Sequence, residues 1–103
     1  RPKIALLKRL LKPLADLPPV GDIRQRGLMV SIELVRNKAT REVIPLQARI
    51  GHRIAMEARR RGLLLRPIGN VIVLMPPLSV TSRELHRITK ILQEAITRVH
   101  ADL

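Results

Sequence analysis

The sequence predicts an α+β domain, a small sheet covered by helices, and three observations carry that expectation. Strand-like runs come in pairs instead of alternating singly with helices, which argues against a parallel βαβ sheet. Helical apolar stripes stand before, between and after those pairs, giving helix, two strands, helix, two strands, helix. At 103 residues with 46% apolar content, the chain has enough for one modest core and too little for two, so 1–103 is a single domain.

The first helix is expected over 3–17, where Ile4, Leu7, Leu11 and Leu14 recur at helical spacing and Leu6, Leu10 and Leu17 widen the stripe. Pro13 should kink or end it, and Pro18-Pro19 must end it. Val20 to Val35 then alternates around Ile23 and continues through Leu28, Met29, Val30, Ile32 and Leu34. It reads as two strands with Gly27 at the reversal or at a bulge between them. Residues 36–44, RNKATREVI, are expected as a polar loop. Pro45 suits the first position of a helix running to about Arg61, with Leu46, Ile50, Ile54 and Ala58 on one face and Gly51 and Ala55 beside them for close packing.

The centre of the chain is RGLLLRPIGNVIVLMPPLSVTSRE, residues 61–84. Gly62 can take the left-handed conformation that closes a helix. Leu63, Leu64 and Leu65, then Val71 to Met75, are short apolar runs expected as strands covered on both faces, with Pro67 and Gly69 as the turn between them. Thr81-Ser82-Arg83-Glu84 fits a capping box, and Leu85, Ile88, Leu92, Ala95 and Val99 trace one face of a last helix. Lys90 and Glu94 stand four apart as a candidate ion pair.

Composition narrows the function classes. No run is long enough to span a membrane and no signal peptide is visible, so a cytoplasmic location is expected. No cysteine means no disulfide framework and no thiolate metal site. His52, His86 and His100 lack metal-ligand spacing, the carboxylates are dispersed, and Ser31, Ser79 and Ser82 lack a nucleophile-elbow context. The formal charge of +12 raises nucleic acid as a partner, with Arg49, Arg53, Arg59, Arg60 and Arg61 as its basic face. With no Phe, Tyr or Trp to stack on bases and no binding motif, that face reads as a solvated helix surface and nucleic acid is not expected. The chain opens at Arg1 inside a helical pattern, which reads as a piece of something longer.

One residue differs in kind. Arg66 stands at the end of an oily run beside a Pro-Ile-Gly turn, where its rigid fork of donors suits bidentate capture of a carboxylate. On pattern alone, a strand-end arginine in water, or one paired with a neighbouring carboxylate, is the favoured reading.

The runs VGDIRQRGLMVSIELVRNKATRE and ARIGHRIAMEARRRGLLLRPIGNVIVLMPPLSVTSREL resemble the C-terminal small domain of class III pyridoxal-phosphate aminotransferases, with LLRPIG and VLMPPL the most specific segments. The resemblance covers nearly the whole chain. It implies an α+β layer packed on a large domain that is absent here, in a homodimeric enzyme using pyridoxal 5'-phosphate. It implies that Arg66, in the RP-x-G segment, binds the carboxylate of a keto-acid substrate. In the nearest branch, an amino group passes from S-adenosylmethionine, through a pyridoxamine intermediate, to 8-amino-7-oxononanoate in biotin biosynthesis. None of Lys3, Lys8, Lys12, Lys38 or Lys90 matches the family's Schiff-base motif, so the cofactor is expected on the large domain and the chain alone should be inactive. Ser31 stands where related sequences often carry glycine. Two alternatives stay open: a free-standing basic domain that binds nucleic acid or another acidic partner, and a designed, aromatic-free version of the aminotransferase domain.

Overall fold

The computed structural model describes residues 2–35 and 49–101. Helix α1 (Pro2–Ala15) leads into the hairpin β1 (Val20–Arg26) and β2 (Met29–Leu34). Helix α2 (Ile50–Arg60) leads into the hairpin β3 (Arg66–Ile68) and β4 (Val71–Leu74), and α3 (Ser82–Ala101) closes the chain. The strands form one antiparallel sheet in the order β1-β2-β4-β3, so β2 and β4 are central and β1 and β3 are edges. This is the expected helix, hairpin, helix, hairpin, helix.

All three helices lie on one face of the sheet. Helix α1 packs on β1 and α3, and α2 on α3, β3 and β4. Leu7, Leu11 and Leu14 of α1, Ile50, Ile54 and Ala58 of α2, and Leu85, Leu92, Ala95 and Ile96 of α3 close over Val20, Val30, Ile32, Leu34, Ile72 and Leu74. The aliphatic core compensates for the missing aromatics by area alone, each buried Leu or Ile contributing about 1.5–3 kcal/mol. Thr89 is buried too, its Oγ1 donating to the Leu85 carbonyl at 3.1 Å, so the hydroxyl is satisfied within its own helix.

Local chemistry sets the ends of the elements. Gly27, at φ 60, opens the two-residue turn between the paired residues Arg26 and Met29. Gly62, at φ 90, ends α2 in a Schellman arrangement: its N–H donates to Arg59 O at 3.0 Å and that of Leu63 to Ala58 O at 3.0 Å. Thr81 N donates to Glu84 Oε1 at 2.8 Å and Glu84 N donates to Thr81 Oγ1 at 3.1 Å, the expected capping box.

Four expectations need correction. Helix α1 runs through Pro13 and stops two residues later at Ala15, so Pro13, which lies exposed, does not itself end the helix. Leu63–Leu65 is not a strand: Leu63 serves the helix closure and Leu64 stays 78% exposed, so pairing with β4 begins only at Arg66. Pro67 is a strand residue, not a turn residue, which an edge strand tolerates. Finally, β4 is buried on alternate residues, not on both faces: Ile72 and Leu74 face the helices while Met75 beyond them is 67% exposed. The polar loop, together with Pro45 and Leu46 of the expected helix start, lies outside the described residues.

Candidate functional site

The β3–β4 turn fixes the place of Arg66. Gly69 and Asn70 connect the paired residues Ile68 and Val71, and Gly69, at φ 59, occupies the first central position, where a two-residue hairpin of the II′ type needs glycine. That register sets Arg66 opposite Val73 and Pro67 opposite Ile72. Directly opposed residues share a face, and Ile72 points into the core. Pro67 therefore faces the helices, and Arg66 faces away from them.

The helix-free face can be read across the sheet in rows. One row runs Arg24, Ser31, Val73, Arg66, and its neighbour runs Asp22, Glu33, Val71, Ile68. At about 4.8 Å between strands, each row spans roughly 14 Å. Arg24 is engaged, its Nε 3.0 Å from Asp22 Oδ2. Arg66, on the opposite edge, is exposed, and its guanidinium makes no hydrogen bond or ion pair among the described residues. A forked cation is thus held on a hydrogen-bonded edge strand at the rim of a half-apolar face, with its donors uncommitted. That arrangement can take up a carboxylate.

Helix α2 bears directly on this turn. A Cβ added at Gly51 would lie 2.5 Å from the Gly69 carbonyl oxygen and 3.6 Å from Pro67 Cβ. The glycine at the start of α2 is what lets the helix seat on the hairpin. Close packing at Gly51 is foreseeable from its place on the apolar face, but the partner it packs against depends on tertiary structure.

The basic residues do not behave as one face. Arg61 donates a hydrogen bond to Glu57 Oε2 and lies 3.5 Å from Glu94 Oε1 through Nε, tying the end of α2 to α3. The Arg61 hydrogen bond holds the Glu57 carboxyl below its ordinary range, with Arg61, Arg60 and Arg98 adding charge against a desolvation that acts the other way. Glu94 therefore meets Arg61 in place of the expected Lys90. Arg59 and Arg60 stay exposed, as do His52 and His86, while His100 is half-buried. Among the described residues no group of three or more His, Asp or Glu could hold a metal ion, and no helix is long and apolar enough to cross a membrane.

The profile of the class III aminotransferases matches residues 2–96. The chain belongs to that family. It is 52% identical, over 96% of its length, to an adenosylmethionine-8-amino-7-oxononanoate aminotransferase of Nitratidesulfovibrio vulgaris, covering 18% of that protein. A relative of the same name from Methanocaldococcus jannaschii is 47% identical over 93% of this chain and 21% of its own length. The crystal structure of the M. jannaschii enzyme superimposes with a TM-score of 0.92 at 46% identity, over 95% of this chain and 22% of that one. A pyridoxamine-phosphate-bound aminotransferase from Vibrio fluvialis gives 0.94 at 29% identity, over 99% and 23%. The chain thus spans about a fifth of the length of the curated relatives it matches. The fold expected from the sequence is the one these aminotransferases share, and the family assignment does not favour the basic-module or designed-domain alternatives.

Proposed function

We propose that these residues are the C-terminal small domain of a class III aminotransferase and that Arg66 binds the carboxylate of its keto-acid substrate. The single observation that carries this is the placement of Arg66, an uncommitted guanidinium fixed by a hairpin register on the sheet face that no helix covers. The names of its relatives support transfer of an amino group from S-adenosylmethionine to 8-amino-7-oxononanoate, a step of biotin biosynthesis, as the reaction; a cytoplasmic location and a homodimer are part of the same proposal.

Pyridoxal 5'-phosphate, which the family implies, finds no seat among the described residues. Lys8, Lys12 and Lys90 stand exposed on helix surfaces, and Lys3 Nζ reaches the Leu78 carbonyl oxygen at 3.4 Å. Lys38 lies outside the described residues. In this proposal the Schiff-base lysine and the phosphate-binding groups belong to the large domain, and the part played here is positioning. Holding the far end of the acid fixes the reacting carbonyl, and well-made positioning is worth several kcal/mol of barrier.

The test is Arg66→Ala in the full-length protein. Loss of a charge-assisted pair of about 3 kcal/mol should raise the keto-acid KM roughly 10²-fold, with cofactor absorbance unchanged. An unaltered KM would retire the assignment.

A further inference from the structure

We infer that Gly51 is a positioning residue for substrate binding: by letting α2 seat on the Gly69 carbonyl, it sets where Arg66 stands. The inference rests on the reading of Arg66 as the carboxylate anchor.

Gly51 is buried in the first turn of α2. An added Cβ would meet the Gly69 carbonyl oxygen at 2.5 Å, and its carbon at 3.6 Å, so the obstacle is backbone and not the yielding tip of a side chain. Something must move. Helix α2 is held by Ile50, Ile54 and Ala58, each fully buried, and by the Schellman closure at Gly62. The hairpin is held less firmly: β3 has three residues, is an edge strand, and leaves Ile68 58% exposed. The displacement therefore goes into the hairpin. Because Pro67 faces α2 and Arg66 faces away, pressure on the helix side carries Arg66 outward from the helices. A catalytic geometry displaced by about 1 Å can cost roughly 10²-fold, so a methyl group at Gly51 reaches the substrate through a residue it never touches.

A structural role alone would lower stability without selecting the acid. Gly21 supplies the comparison: it lies on β1 at the far edge, and a Cβ there would meet Val35 Cγ1 at 2.7 Å. In the full-length protein, Gly51→Ala should raise the KM for the keto acid about 10- to 100-fold with kcat little changed, while Gly21→Ala leaves KM within about twofold. Gly51→Ala combined with Arg66→Ala should show the KM of Arg66→Ala alone, because the first acts through the second. If Gly51→Ala leaves KM unchanged while Arg66→Ala raises it, or if the two effects multiply, the inference is overturned and the anchor reading stands. If Arg66→Ala itself leaves KM unchanged, both fall. Should Gly51→Ala fail to fold, Gly69→Ala strains the same seat from the turn side, and an unchanged KM there overturns the inference equally.

Discussion

Replacing Arg66 by lysine keeps the positive charge and removes the fork. The Arg66 side chain has no partner among the described residues and projects from an edge strand away from the core, so the change leaves the sheet, the helices and the ion pairs untouched. Stability should move by less than about 0.5 kcal/mol, as for surface substitutions elsewhere. Binding should move more. A guanidinium gives a carboxylate two parallel N–H···O bonds, and an ammonium on a flexible stem gives one with less geometric control. A charged hydrogen bond at about 1.5 kcal/mol is half of the pair, so lysine should cost roughly 10-fold in keto-acid KM, between wild type and Arg66→Ala. The assay is steady-state amino transfer by the full-length protein at saturating donor, with the cofactor absorbance recorded for each variant. The donor KM should hold. A lysine variant indistinguishable from wild type would refute forked binding, and a fall in kcat with KM unchanged would refute an anchor that holds the carboxylate in the bound ground state.

Thr81→Ala removes the N-cap of α3 and should cost about 1 kcal/mol in chemical denaturation. The Thr81 backbone N–H, then the Thr81 hydroxyl, hold the Glu84 carboxyl below its ordinary 4.5. That stabilisation is complete above 4.5 and is lost as pH falls through the lowered folded value, so the gap between wild type and Glu84→Gln should close in acid; a gap constant with pH would contradict it. Gly62→Ala places a Cβ at φ 90 and should cost about 1–2 kcal/mol, with Gly62→Asn losing less; equal losses would argue against the left-handed cap. Leu64 and Leu78 are 78% and 84% exposed in this chain, so it should self-associate at micromolar concentration. The Leu64→Ser, Leu78→Ser variant should sediment closer to the monomer, and identical sedimentation would show that neither leucine drives the association.

Features governed by a few adjacent residues are legible in the sequence. The capping box at Thr81 and Glu84, the cap at Gly62 and the reversal at Gly27 each need only local backbone chemistry, and all three stand as expected. Features governed by register or by a distant element are not. Leu63 to Leu65 and Val71 to Leu74 look alike as apolar runs, yet only the second pairs along its length, because the Gly69-Asn70 turn aligns β4 with Arg66, Pro67 and Ile68. The partner of Glu94 lies on another helix, so spacing within α3 points to Lys90 and the structure supplies Arg61. For Arg66, the sequence pattern gives a cation beside a turn, the family resemblance suggests the role proposed for it, and the register gives it an open face.

Everything turns on what the Arg66 side chain touches when the acid is bound. A crystal structure of the full-length protein with its keto-acid substrate should place two guanidinium nitrogens about 2.7–2.9 Å from the two carboxylate oxygens. A carboxylate held by other groups, with Arg66 directed into solvent, would contradict the account.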